Sequence, residues 1–197
     1  MFNKGRRELL WDLMVGGAWG LYATIFLNRA LRGGGPVDLG VALFVTTLAV
    51  LFLLRRPVRR PGAFWESLLA VAGTFLPPSM VRPAAGGWHW LGESIQIVSV
   101  AGMMAAAISL GRSFGISPAD RGLRTTGLYR WVRHPLYAME LWFYVGYVVA
   151  NPSWRNLIVL GGSAAIQIIR IAREERILEG YASYVQQVRW RLLPLAW

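Results

Sequence analysis

The chain has 197 residues, 55% of them hydrophobic and only 16% charged, with ten tryptophans and a formal net charge of +11, a composition that belongs to an integral membrane protein and not to a soluble domain. It contains no cysteine, which excludes disulfides, thiolate nucleophiles, thiolate metal ligands and S-acylation of its own side chains. The basic excess requires no nucleic acid: no RNA- or DNA-binding module is legible, and a basic face gains about 1 kcal/mol per surface-proximal Lys or Arg against anionic lipid.

A helix needs about 20 apolar residues to cross a hydrocarbon core of roughly 30 Å, because its backbone must be satisfied within the segment. Six such segments are predicted in chain order, over 9–27, 37–54, 64–80, 91–110, 136–150 and 154–172. The first follows Lys4, Arg6 and Arg7 and is too long, without a small-residue cleavage pattern, to be a removed signal; it is read as a retained helix. Gly33-Gly34-Gly35-Pro36 and Arg59-Arg60-Pro61-Gly62 are short breaks between spans. The fifth segment is short, and Asn151-Pro152-Ser153 turns it into a hairpin with the sixth, tilted or not fully crossing. The expectation is therefore an all-α polytopic protein with five to six transmembrane helices in a single membrane domain, 1–197, with no internal repeat. Two segments lie outside the spans, 111–135 and 173–197. In the second, Ile177, Leu178, Tyr181, Tyr184, Val185 and Val188 recur at helical spacing, predicting a C-terminal amphipathic helix that lies on the membrane or roofs a site.

Charge orients the chain. In a six-span arrangement Lys4, Arg6, Arg7, Arg55, Arg56, Arg59, Arg60, Arg112, Arg121, Arg124, Arg130, Arg133, Arg170, Arg173, Arg176, Arg189 and Arg191 share one side, against Arg29, Arg32, Arg82 and Arg155 on the other. The positive-inside rule then places both termini and the segments 111–135 and 173–197 in the cytoplasm.

Two clusters carry chemistry. Gly127-Leu128-Tyr129-Arg130-Trp131-Val132-Arg133-His134-Pro135-Leu136-Tyr137 sets a cationic, ring-rich loop before an apolar helix, and Arg170-Ile171-Ala172-Arg173-Glu174-Glu175 ends another. They are expected to meet. Arg170 lies one helical turn before Glu174, on the same face, and Glu140 lies one turn inside the fifth segment, where an acid is costly and marks a functional site by default. Each has a plainer reading: His134 and Pro135 as a helix start, the aromatics as an interfacial belt, the charged helix end as solvated ion pairs of little worth. No metal-ligand cluster or nucleophile triad is present.

Gly127-x-Tyr129, Arg133-His134-Pro135-x-Tyr137, then Arg170, Glu174-Glu175-x-x-Leu178, Tyr181-x-x-Tyr184 and Pro194 resemble the isoprenylcysteine carboxyl methyltransferase family, including its bacterial members and the related phospholipid N-methyltransferases. Two motifs in order, separated by a hairpin, are more specific than either alone. The resemblance covers roughly the last 90 residues and implies an all-α membrane enzyme of the bacterial inner membrane. Such an enzyme binds S-adenosyl-L-methionine at the cytosolic face and opens to the bilayer for a lipophilic methyl acceptor. It further implies that Tyr129, His134, Pro135, Leu136 and Tyr137 touch the cofactor, that Arg121, Gly122, Leu123 and Arg124 wrap it, and that Glu174 completes the pocket. Arg170 would correspond to the family's substrate-contacting arginine and orient the acceptor; Glu140 is placed with it as a catalytic candidate because of its depth in the fifth segment.

The chain departs from the family in carrying Met139 where glycine is usual, and Leu178-Glu179-Gly180-Tyr181 without the usual Phe-Gly. His-Pro-x-Tyr-x-x-Glu also resembles the NADPH-binding part of membrane sterol and steroid reductases, but the paired glutamates and following tyrosines favour methyl transfer. A lipid-binding protein without catalysis is the third reading. The fifth and sixth segments are expected to diverge at their cytoplasmic ends, leaving a gap to the bilayer beside Glu140 and Arg170.

Overall fold

The structure is a computed structural model that describes residues 5–82 and 86–193; Lys4 and Pro194 lie outside the described residues. Among the described residues seven α-helices form: α1 (Arg6–Leu31), α2 (Pro36–Leu54), α3 (Phe64–Phe75), α4 (His89–Leu110), α5 (Pro135–Ala150), α6 (Trp154–Ile177) and α7 (Tyr181–Gln187). Their starts follow local chemistry. Pro36 and Pro135 open α2 and α5, where a missing N–H and a preset φ cost nothing. Ser153 caps α6 by accepting the Asn156 backbone N–H at 3.1 Å.

The third segment differs from its predicted extent. α3 stops at Phe75, and the chain continues through a 3₁₀ turn, Pro77–Ser79, because two consecutive prolines remove the donors that further α-helical turns need. Among the described residues four helices are long and apolar enough to cross a membrane, over Glu8–Leu31, Pro36–Leu54, His89–Ser113 and Trp154–Ile177. α5 and α3, at 16 and 12 residues, extend only about 24 and 18 Å at 1.5 Å per residue. The chain after α3 still reaches the far end of the bundle: Asn156, fully buried at the start of α6, both accepts from the Val81 N–H and donates to the Val81 carbonyl, each at 2.9 Å.

The helices pack in series, α1 on α2, α2 on α4 and α4 on α5, while α6 packs on α5 and α3. Phe44, Leu48, Phe52, Val100, Met103 and Leu136 form the buried core of α2, α4 and α5, while Leu21, Leu31, Val98 and Ile158 face outward as lipid-facing side chains do. α4 and α5 approach through glycine. A Cβ on Gly92 would lie 2.5 Å from the Gly146 carbonyl oxygen, and one on Gly146 would lie 2.7 Å from that of Gly92, the small-residue contact that lets membrane helices pack backbone to backbone. Asp12, inside apolar α1, is tolerated because Arg55 at the end of α2 donates its Nε to Asp12 Oδ1 at 2.8 Å; both are buried and the guanidinium lies over the Phe52 ring.

The loops at the Arg55 end form a cap. Arg60–Pro61 pairs antiparallel with Ala119–Asp120, and the Arg133 and His134 N–H groups donate to the carbonyls of Trp190 and Arg191, each at 2.8 Å. The C-terminal segment is thereby stitched to the start of α5. α7 is shorter than the predicted amphipathic helix because Gly180, at φ +76°, breaks it from α6; Tyr181 and Tyr184 are buried, so α7 roofs the cap.

Gly146→Leu is expected to separate α4 from α5 and lower stability by roughly 1–3 kcal/mol, read as a lower melting temperature in detergent. Gly161→Ala, where an added Cβ meets nothing within 4 Å, is expected to leave melting unchanged.

Candidate functional site

The two sequence clusters meet at the junction of α5, α6 and α7. Tyr137, one turn into α5, donates its hydroxyl to Glu174 Oε2 at 3.0 Å, and the His134 ring stacks on the Tyr137 ring at 5.7 Å and 15°. His134 Nδ1 lies 3.9 Å from Glu174 Oε2. Its Nε2 faces Glu175 Oε1 at 3.3 Å and the Tyr181 hydroxyl at 3.2 Å. One imidazole thus sits between both carboxylates of the Glu174-Glu175 pair.

Glu175 is the hub that the sequence reading left without a role. Arg191 donates Nε and NH2 to its two carboxylate oxygens, both at 3.1 Å, a fork-to-fork geometry that is among the strongest hydrogen-bonded pairings. Tyr181 donates to Oε1 at 2.8 Å, and the buried Arg133 guanidinium lies 3.4 Å from the same oxygen. Burial, followed by the Glu175 carboxylate that it donates to, raises the Tyr181 phenol well above its ordinary range, so it stays a donor. Tyr184 closes the roof by donating to the Tyr129 carbonyl; burial lifts its phenol to about 12.

A second polar line crosses from α5 to α6 one turn deeper. Gln167 donates its amide to Glu140 Oε2 and accepts from Arg170 NH1 at 3.0 Å; an ionised carboxylate can only accept and a guanidinium only donate, which orients that amide. Arg170 also donates NH2 to the Ile116 carbonyl at 2.8 Å and lies 4.8 Å over the Tyr137 ring, leaving its Nε without a hydrogen-bond partner. These contacts tie α5 to α6. The pair is bridged beside Glu140 and Arg170 by these long side chains, while α5 itself packs far more extensively on α4 than on α6.

The loop 119–124 supplies the third wall. Asp120, buried at 1% exposure, accepts the Gly122 N–H at 2.7 Å and the Glu179 N–H at 3.4 Å, which anchors the loop to the end of α6. Gly122 adopts φ +95°, a conformation that favours glycine. Arg121 is 5% exposed, its Nε lacks a partner, and burial, then the like charge of Arg55, pulls its guanidinium down to about 10. Arg124 donates Nε to the Leu110 carbonyl at 3.2 Å. Leu123 packs on the Tyr181, Tyr184 and Val188 cluster.

All of this opens on one cavity of about 530 Å³. Arg121, Gly122, Leu123, Arg124, Tyr129, His134, Leu136, Tyr137, Glu140, Arg170 and Glu174 line it; Pro135 is buried behind it. The cavity is of the size that holds a small molecule, walled mostly by apolar groups with a few convergent polar ones. Among the described residues no cluster of His, Asp and Glu could hold a metal ion.

The sequence profile of the phospholipid methyltransferases matches residues 82–182, which begins before α4 and ends in α7. The chain belongs to the phospholipid methyltransferase family. No curated protein gives a significant match. This is a family of membrane methyltransferases, related to the isoprenylcysteine carboxyl methyltransferases. In this phospholipid methyltransferase relative, the matched region contains the whole Tyr137–Glu174–His134 cluster and the Glu140–Gln167–Arg170 line. The α1 and α2 residues that wall the cavity lie outside it.

The two glutamates are expected to respond differently to amide substitution. Glu175→Gln leaves buried Arg133 and the Arg191 fork without their counter-charge, which costs about 3 kcal/mol and is read as a large fall in melting temperature. Glu174→Gln, whose carboxylate faces the cavity, is expected to leave melting nearly unchanged.

Proposed function

We propose that this protein is an S-adenosylmethionine-dependent methyltransferase acting on a lipophilic acceptor that enters from the bilayer. The observation that carries the reading is the juxtaposition, on one cavity within the family-matched region, of a carboxylate and stacked rings (Glu174, Tyr137, His134) with a buried guanidinium whose Nε is unpartnered, Arg121. The cofactor's amino-acid head carries a carboxylate and an ammonium, its nucleoside a ribose and a flat base, and those residue types answer each group. Arg121 suits the carboxylate: its guanidinium is buried with Nε unpartnered and no direct ion pair among the described residues, so an arriving anion supplies the contact it lacks. Glu174 accepts hydrogen bonds from the ammonium or ribose, and the rings offer an apolar slot for the base. When bound, S-adenosylmethionine supplies an electrophilic methyl group on a sulfonium.

The protein's own part is to hold the acceptor's nucleophile still and dry. Orientation alone is worth a large share of such a barrier, and here Glu140 and Arg170 present one accepting and one donating group, aligned by Gln167. For an acceptor carboxylate, as in isoprenylcysteine methylation, Arg170 is the orienting contact. A second reading rests on a specific observation: Arg170 already gives NH1 to Gln167 and NH2 to Ile116, while Glu140 lines the cavity. That favours an amine headgroup, as in phospholipid methylation, because Glu140 can accept the proton that an ammonium must lose before its nitrogen can attack.

Arg121→Met is expected to weaken S-adenosylhomocysteine binding by about 10- to 100-fold, the worth of a charged hydrogen bond of roughly 1.5–3 kcal/mol. It should leave 5′-methylthioadenosine, which lacks the amino-acid head, within a few-fold; calorimetry on purified protein reads both. The acceptor class is read from turnover. Glu140→Gln should abolish methylation of phosphatidylethanolamine if the acceptor is an amine, whereas Arg170→Ala should cut carboxyl methylation of a prenylcysteine by about two orders of magnitude if it is an acid.

A further inference from the structure

The cavity does not end at the methyl-transfer site. Along α4 its lining runs from Leu110 at the cap to Gln96, about 21 Å at 1.5 Å per residue. Along α5 it runs from Tyr137 past Glu140 to Tyr147, about 15 Å on the same pitch. Its far end lies where Arg29 of α1 pairs with Asp38 of α2 at 3.3 Å, on the side of the bundle opposite the Glu174 cluster. A cavity that served only a hydrocarbon tail would be apolar once it left the reacting centre. This one is not.

Gln96 decides the point. It is 5% exposed, sits on apolar α4 against the Gly146 backbone, and lines the cavity. No hydrogen bond ties its side chain to another described residue, and that side chain forms part of the cavity wall. Tyr22 and Tyr147 line the same stretch, and no hydrogen bond ties either hydroxyl to another described residue. A buried amide without a partner is rare in proteins because it gives up its hydrogen bonds to water; the two hydroxyls beside it are half-buried. Three facing one space describe a polar subsite. Arg29 and Asp38 neutralise each other at its rim, where Arg82 also lines the cavity; the three interior groups, one amide and two phenols, are themselves neutral and suit a neutral hydrogen-bonding group.

We propose that this far end binds an uncharged hydrogen-bonding group, a hydroxyl or carbonyl, carried by the acceptor at the end remote from its methylated centre. The acceptor is then an amphiphile that is polar at both ends and spans the bundle, and this inference rests on the near end being the methyl-transfer site. Gln96 and Tyr147 are specificity residues, not catalytic ones. Gly146, whose missing side chain gives Gln96 Cγ its place 3.0 Å from the glycine's Cβ position, holds Gln96 at this depth.

The test uses native mass spectrometry of the full-length protein in detergent with equimolar 1-aminododecane and 12-amino-1-dodecanol, which differ only in the distal hydroxyl. Wild type is expected to retain the amino alcohol about tenfold over the amine, the factor given by one regained hydrogen bond of about 1.4 kcal/mol. Gln96→Leu should bring that ratio to unity or below. Tyr147→Phe, which removes one hydroxyl and keeps the ring, should lower it without affecting folding. No preference in the wild type, retention of neither chain, or a preference untouched by both variants overturns the proposal. S-adenosylhomocysteine titrated into the same samples reports the near end separately: its failure to bind sinks the methyl-transfer reading, while the distal preference is still measured.

Discussion

The Glu175 carboxylate is the interaction on which the rest of the site depends. It lies at the end of a helix otherwise built for lipid, and it gathers Arg191, Arg133, Tyr181 and His134 from three separate stretches of chain. Without it the extended segment after α7 would have no electrostatic reason to lie along the start of α5, and α7 would not roof the cavity. Because those cations gather on Glu175, the neighbouring Glu174 is left to face the cavity, with Tyr137 donating to it and His134 Nδ1 3.9 Å away. Two adjacent carboxylates therefore divide their work, one for architecture and one for ligand.

The same division recurs deeper in the bundle. Arg55 and Asp12 cancel within the fold, and Asn156 ties the chain after α3 to α6; these are polar groups spent on structure. Arg121 and Gln96 are not so spent, and both open on the cavity. An unpartnered buried polar group on the wall of a cavity marks a place where a ligand can be held.

Much of the helical plan was legible in the chain, and the reasons are specific. α2, α5 and the start of α6 fall where Pro36, Pro135 and Ser153 place them, since helix starts are written locally. The early stop of α3 was also written, in Pro77-Pro78, but an unbroken apolar run outweighed the prolines in the reading of 64–80. Of the site residues, Tyr129, His134, Tyr137, Glu140, Arg170 and Glu174 line one cavity, and they were accessible because motifs are contiguous or one turn apart. Asp120 and Glu175 were not given roles: their partners, Glu179 and Arg191, are set by how loops return to the cap, which no local pattern encodes. Gln167 carried a faint signal, three residues before Arg170 and seven before Glu174 on the same helical face. The far end of the cavity had none, because Tyr22, Gln96 and Tyr147 come from three helices and look, in sequence, like isolated polar residues in apolar runs.

The central claim is methyl transfer to a lipophilic acceptor, and one measurement addresses it most directly. Membranes containing the protein are incubated with S-adenosylmethionine radiolabelled on the methyl group, beside membranes containing the Glu174→Gln variant, and the label is followed into an organic extract. The account expects label to accumulate in the organic phase with wild type and to fall to background with the variant. Label confined to water-soluble products, or equal organic incorporation by both proteins, would contradict it.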